Sequence, residues 1–555
     1  MERRALLAAV LCLLVLIGYQ EAVHYFYPAP SPGVEVPGVP SPVPLPPASA
    51  PRPGAETSRP AAEAAPVEPG RVVTVDTDLY QARVATTGGR LLSFRLKRFR
   101  TSIDAASEPL EMIAVAPGAA PPLGVRFLGE DGKPEDDTHV AYSADREQVS
   151  LTGSETATLT LTGTLPSGAR VEKSLTFTGD AYPITVGVRA PDLPVTVSRV
   201  GLGWRHHLAQ ASKRDPETPY RGAVLLVGKK VVHELASTLA DQPVRSFESP
   251  IGWAGYADHY FLAALAPADP GQARAVVSPE NAGVQILLSA PRVSETDGSA
   301  RFTLYVGPKD VELLQAAGYQ LARAVDFGWF SFLALPLLRL LKLFHSVTRN
   351  YGIDIILLTI LVKVLFIPLT NKSMRSMQEM QRLQPQVAKL REKFKDDRER
   401  LNKEMIELYR RHRLNPLGGC LPMLLQFPVF IGLYQALNQA IELRHASFAL
   451  WVRDLSAHEC YPWPGQEMAA GCNDLSLIGV PIPLLVLLMG GSMILQQWLS
   501  PSTGMDPTQQ RMMMVLMPVM FTVMFVNFPS GLVLYWLVNN VLTIAQQWHM
   551  SRARA

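Results

Sequence analysis

Carboxylates are absent from the interior of every long apolar stretch in this 555-residue chain; Asp354 and Glu442 stand only at the ends of two of them. Proton-coupled transport needs an intramembrane relay of acids, so that class is weakened at the outset. Cysteines number four, too few for a disulfide framework. Cys460 and Cys472 share one polar loop and read either as a disulfide or as two free thiols. With His458 they form a set too loose for zinc, and no metal or cofactor is expected. The net charge of +3 gives no bulk signal for direct nucleic-acid binding. A paired-carboxylate motif is missing as well, so His206 and His207 read as structural histidines.

What the chain has instead is a sharp block structure. Arg3 and Arg4 precede an apolar run from Ala5 to Ile17, and Tyr25-Phe26-Tyr27 follows it. No small-residue cleavage site intervenes, so residues 1–27 are expected to be an uncleaved anchor with a cytoplasmic N-terminus. Residues 28–70 are a Pro-rich, extended linker. From Arg71 the apolar period becomes two, as in Val72–Val75, Tyr80–Val84 and Leu91–Leu96, with Thr87-Gly88-Gly89 as a hairpin turn. Residues 71–325 therefore predict a large antiparallel β-sandwich.

Residues 326–350 change period again. Arg339, Lys342, His345 and Arg349 recur at helical spacing against leucines, which predicts an amphipathic helix lying in the membrane interface. Five spans are then expected: Ile353–Thr370, Leu417–Ile441, Leu477–Trp498, Met512–Phe528 and Leu532–Trp548, each near the roughly 20 residues that cross a bilayer. Asn371–Pro416 holds thirteen Lys/Arg against seven Asp/Glu, which places it inside; Arg552 and Arg554 place the C-terminus there too. The Glu442–Ser476 loop is then outside, in an oxidising compartment, which favours the disulfide. Six transmembrane helices satisfy every loop, with both termini cytoplasmic and the β domain exported. The domain boundaries that follow are 1–27, 28–70, 71–325, 326–350, 351–371, 372–416 and 417–550.

Lys363 stands out because it lies deep inside its span, where a cation costs about 2.5–3.5 kcal/mol on insertion scales. That cost is met if the ammonium faces a hydrated cavity between helices. Thr359, four residues earlier, shares its face. Neutral polar residues available to the same cavity are Gln426, Thr522, Asn527, Ser530, Asn539 and Asn540. In 372–416, one apolar stripe (Val387, Leu390, Phe394) faces another (Leu401, Met405, Leu408) across a turn at Lys395-Asp396-Asp397, which predicts a cytoplasmic helical hairpin.

Several motifs occur in one order: Thr359-Ile360-Leu361-Val362-Lys363, Ile367-Pro368-Leu369-Thr370, Asn415-Pro416-Leu417-Gly418-Gly419-Cys420-Leu421-Pro422, Phe448-Ala449-Leu450-Trp451, and Phe528-Pro529-Ser530-Gly531-Leu532-Val533-Leu534-Tyr535-Trp536. In these the chain resembles the YidC/Oxa/Alb family, in its Gram-negative layout. The resemblance implies a five-helix insertase core plus an N-terminal anchor, and a periplasmic supersandwich without catalysis. It implies an insertase and chaperone, not an enzyme, whose substrates are nascent membrane proteins entering a groove open to the cytoplasm and the lipid bilayer. Lys363 would attract acidic or polar parts of the arriving chain, with Thr359, Tyr535 and Trp536 as its contact line and Gln426 and Asn539 beside it. The hairpin at Asp396 and Asp397 would meet the ribosome or targeting machinery, and the Sec translocon is an implied partner.

The sequence departs from the family pattern at three points. Lysine stands at 363 where the family usually has arginine, the tail after Trp548 is short, and the Cys460–Cys472 insert is unusual. A polytopic solute transporter with an accessory periplasmic domain is the alternative, weakened by the missing acids and by the lack of a repeat between the halves.

Overall fold

The computed structural model describes residues 70–552 except 105, 115–118, 130–133, 195, 208–220, 236–238, 240–243, 249, 281–282, 293–298, 395–396, 413–420, 462–471, 478–479 and 500–506. The expected anchor, the linker before Gly70, Asp396 and most of the Asn415–Pro422 motif lie outside the described residues.

Alternation of apolar and polar residues builds the N-terminal domain. Strand Arg170–Thr178 buries Val171, Leu175 and Phe177, while its outward Thr176 hydrogen-bonds Thr158 across the pair at 2.9 Å. The turn between Tyr80–Ala85 and Leu91–Arg100 needs left-handed backbone, which Gly88 (φ 67°) and Gly89 (φ 56°) supply. Three sheets result, of five, nine and six described strands. Pairing is antiparallel apart from Thr74–Asp76, which runs parallel to Gln148–Ser150 and so modifies the all-antiparallel expectation. Trp204, Trp253, Tyr80 and Phe94 are fully buried between the sheets, each contributing about 1.5–3 kcal/mol of transfer free energy or more.

Below this domain the chain turns helical: α1 (Val311–Ala317), α2 (Ser331–Thr348), α3 (Tyr351–Arg382), α4 (Gln384–Lys393), α5 (Arg398–Arg411), α6 (Leu421–Gln439), α7 (Leu484–Leu499), α8 (Pro507–Phe525) and α9 (Ser530–Arg552). Lys342 on α2 links the two regions. Its ammonium reaches Asp310, the N-cap of α1, at 3.1 Å and Glu442, just past α6, at 2.7 Å. Arg444 adds a second tie, donating to the Arg100 carbonyl at 3.0 Å and lying over the Phe261 ring.

Several boundaries differ from the sequence expectation. α3 runs unbroken past Thr370 to Arg382, because Pro368 is tolerated inside it and Leu383 caps it. The first hairpin helix, α4, therefore starts twelve residues later than the 372 boundary, with Pro385 in its first turn, and α5 follows from Arg398, with the Asp397 carboxylate accepting from Arg400 N at its start. α7 begins at Leu484, not Leu477, because Ser476–Leu477 and Val480–Pro481 pair as a short ribbon. Its 16 residues span about 24 Å, short of the roughly 30 Å hydrocarbon core. Among the described residues two helices are long and apolar enough to cross a membrane, Gly328–Thr348 and Tyr351–Arg382. The first is α2 with its preceding turn, which buries Ala334, Leu337, Leu338 and Leu341 and exposes Phe332, Leu343 and Val347.

Candidate functional site

Three helices meet at Lys363. From α3 its ammonium donates to Thr543 Oγ1 at 2.6 Å and to Asn539 Oδ1 at 3.3 Å, both on α9. Gln426 on α6 donates to the same Asn539 oxygen at 2.8 Å. Asn539 and Thr543 are one helical turn apart, so they face one way, and the Thr543 hydroxyl donates in turn to the Asn539 carbonyl at 2.6 Å. Among the described residues, the oxygens on the ammonium are neutral. An ammonium has three donors and wants a full charge opposite it; here it has two dipoles and stays half-buried. The cluster can therefore hold a cation at rest and still present it to an incoming anionic or polar group.

An aromatic wall flanks this cluster. Trp536 stands edge-on to Phe430 at 4.8 Å and lies 5.1 Å from Phe525 and 5.9 Å from Phe521. Tyr535 is buried beside it, 6.4 Å from Phe430. Two glycines allow close approach: a Cβ at Gly490 would lie 2.2 Å from Thr522 Oγ1 on α8, and one at Gly352 would lie 2.0 Å from the Phe448 ring in the loop after α6.

At one end of the helices a polar hub fixes the loop between α6 and α7. Glu459, 1% exposed, accepts from the Leu485 and Val486 amides at the start of α7 and from Trp451 Nε1 at 2.7 Å. Asn473 accepts from the Arg453 and Asp454 amides and donates to Asp454 O, Ala457 O and Ser530 Oγ. Cys460 and Cys472 are joined by a disulfide next to both residues, with Cα atoms 5.1 Å apart.

Of the polar residues expected in the cavity, the structure brings Gln426 and Asn539 to Lys363 and sends the others elsewhere. Thr359 needs correction: it is 1% exposed and its hydroxyl is satisfied by the Ile355 carbonyl of its own helix at 2.6 Å. Thr522 likewise bonds back to Pro518, Asn527 accepts from Tyr461, Ser530 joins the hub, and Asn540 donates to Ser492. Thr543 is the residue that sequence reasoning missed. Its signal was the four-residue spacing from Asn539, hidden in the apolar surroundings of Val541, Leu542 and Ile544. His206 stacks on Tyr256 with ring centroids 3.6 Å apart, and burial pushes its pKa down to about 3, so it stays a neutral packing group.

Two family models match the chain: one described as the 60Kd inner membrane protein over residues 343–555, the other as the YidC periplasmic domain over residues 72–340. The class is thus an inner-membrane protein whose helical core follows a periplasmic β domain. Among curated relatives, the membrane protein insertase YidC of Syntrophus aciditrophicus is 39% identical over the whole of both chains. That of Geotalea daltonii is 36% identical over 100% of this chain and 99% of its own. A crystal structure of an active YidC insertase with its first transmembrane domain resolved aligns over 87% of this chain and 94% of its own, at 19% identity and a TM-score of 0.37. The chain belongs to the YidC membrane protein insertase family.

Proposed function

We propose that this insertase, which folds and helps assemble inner-membrane proteins alone or with the Sec translocon, works from a polar groove whose central cation is Lys363. The observation that carries this reading is the ammonium held, among the described residues, by the neutral oxygens of Asn539 and Thr543. Such a cation can exchange those dipoles for an acidic group on an arriving segment at little cost, whereas a salt-bridged one would first have to break its pair. A polar pocket among apolar helices lowers the desolvation cost of passing a short hydrophilic segment. Burial of the apolar helix behind it then drives insertion without nucleotide.

In this reading α2 lies in the interface and six spans keep both termini in the cytoplasm. The α4–α5 hairpin at Asp397 faces the ribosome or targeting machinery there. Residues 1–27, 28–70, 71–325, 326–350, 351–371, 372–416 and 417–550 are the working domains, with the hairpin helices shifted as described above. Trp536, Gln426 and Asn539 line the path of the substrate, with Tyr535 buried behind Trp536. Reconstitution into liposomes tests the proposal. A short single-span protein should insert with the wild type and fail to insert with Lys363→Ala, while crosslinks from positions 363, 536 and 539 should reach the nascent segment. Solute flux without insertion would overturn it in favour of a transporter.

A further inference from the structure

The disulfide of the loop between α6 and α7 lies where two helices of the core take their support. Cys460 follows Glu459 and Cys472 precedes Asn473, so the bond joins the two hub residues directly. Beside it, the Cys460 amide donates to the Asn473 carbonyl and the Asn473 amide to the His458 carbonyl, both at 2.9 Å. Every one of these contacts requires the chain to return across the twelve positions that separate the cysteines. The covalent link removes that closure cost; hydrogen bonds alone would have to meet it.

Both hub residues are sealed from water, Glu459 at 1% and Asn473 at 3% exposure. The Glu459 carboxylate is answered by the Leu485 and Val486 amides and by Trp451 Nε1, with no cation paired to it among the described residues. It is stable in that place only while the start of α7 faces it. Asn473 governs the start of α9 by donating to Ser530 Oγ at 2.9 Å. The neighbouring carbonyls of Ala457 and Leu455 accept from the Ser530 and Gly531 amides at 2.8 and 2.9 Å. Farther along the same helix stand Asn539 and Thr543, the two residues that hold Lys363. The setting of α9 against α3 is therefore fixed at its first residues by this loop.

The two cysteines differ in access: Cys460 is 4% exposed, whereas Cys472 is half-buried. An arriving thiolate meets Cys472 first. A new sulfur–sulfur bond forms to Cys472 Sγ, the bond to Cys460 breaks, and Cys460 leaves as a thiolate that takes up a proton. The second thiol of a dithiol then closes its own disulfide and frees Cys472, so two electrons pass to the protein. A disulfide-bearing oxidant reverses the exchange.

We propose that the Cys460–Cys472 bond is a redox-sensitive clamp on the groove. Closed, it holds α9 in the setting that presents Lys363; opened by a dithiol, it frees the start of α9 and weakens insertion. The proposal rests on the Lys363 reading and on the exported placement of the loop, where disulfide oxidants act.

The full-length protein in liposomes, equilibrated over ratios of reduced to oxidised dithiothreitol, is assayed with a cysteine-free single-span substrate. Alkylation and mass spectrometry count the free thiols at 460 and 472. Insertion should fall about fivefold or more as the pair opens, and return on reoxidation. The unfolding temperature of the reduced protein in detergent should drop by about 5–10 °C. Cys460→Ser/Cys472→Ser should insert at the reduced level whatever the ratio; if that variant does not fold, the reversible titration of the wild type decides alone. The proposal is overturned if insertion is equal with the pair open and closed, if the pair stays closed in excess dithiothreitol, or if the double variant responds to the ratio as the wild type does. Failure of the groove reading looks different: Lys363→Ala would then insert as well as the wild type with the bond closed.

Discussion

Lys173 in the β domain and Lys363 among the helices are both cations withdrawn from water, yet their surroundings differ in kind. Lys173 is fully buried and reaches the Asp137 carboxylate together with the carbonyls of Gly88, Gly89 and Leu123. Asp137 is itself saturated by Arg90, Tyr142 and the Val125 amide. Nothing in that centre is left to bind a visitor, and its removal would leave the buried Asp137 with Arg90 as its one described cation. Lys363 is half-buried, has no carboxylate among its described partners, and leans on two side chains of one neighbouring helix. The same side chain is thus a structural bolt in one region and an exchangeable contact in the other; the difference lies in how completely its charge is answered.

The sharpest way to break this contrast is Lys173→Met. Removing one partner of a buried ion pair should cost about 3–5 kcal/mol, read as a lower denaturation midpoint of the β domain, with the helical groove untouched. Lys363→Ala should do the reverse. Loss of a charged contact worth roughly 1.5–3 kcal/mol should lower insertion about 10- to 100-fold in liposomes, with little change in unfolding. Asn473→Ala tests the loop hub: losing its amide leaves the buried Ser530 hydroxyl and the Arg453 and Asp454 amides short of partners and should destabilise the helical core by about 1–3 kcal/mol, measured by thermal unfolding in detergent. Thr543→Val keeps the Lys363 charge but removes its nearest oxygen, so insertion should change by only a few-fold, about 1 kcal/mol.

A further expected effect is one of pH. Burial lowers the Lys173 ammonium to about 8, with Asp137 opposing. An unfolded lysine titrates near ~10.4, so between those limits the unfolded chain holds more protons. This lysine's contribution therefore makes the β domain more stable as pH rises from about 8 towards ~10.4. Lys309, also lowered to about 8 by burial, adds in the same direction. A pH series of unfolding temperatures should rise more steeply in the wild type than in Lys173→Met; equal slopes would remove Lys173 from the account.

Much of this architecture was legible in residue order. Period-two stretches such as Arg170–Thr178 became strands with the expected faces, and the Gly88-Gly89 turn fell where the pattern broke. Lys363 announced itself because a charge among leucines is expensive wherever it is written. Its partners were harder to read. Helical spacing says which residues of one helix share a face, but not which face meets another helix, so Thr359 was assigned to the cavity and Thr543 was overlooked. The lower boundary of α3 was placed where the apolar run ends at Thr370, yet the helix continues through Pro368 into polar sequence as far as Arg382. The Asp137 centre was invisible in sequence because Arg90, Asp137 and Lys173 come from distant strands and meet only through the sheet topology.

The loop hub sets an order on how this chain completes itself. The first turn of α7 is finished by Glu459, a side chain 26 positions before it, and α9 is anchored through Ser530 to Asn473, 57 positions earlier. Neither helix start is therefore satisfied by its own neighbours in sequence. The loop is a seat that both helices share, so a change at Glu459 or Asn473 reaches α7 and α9 from outside them.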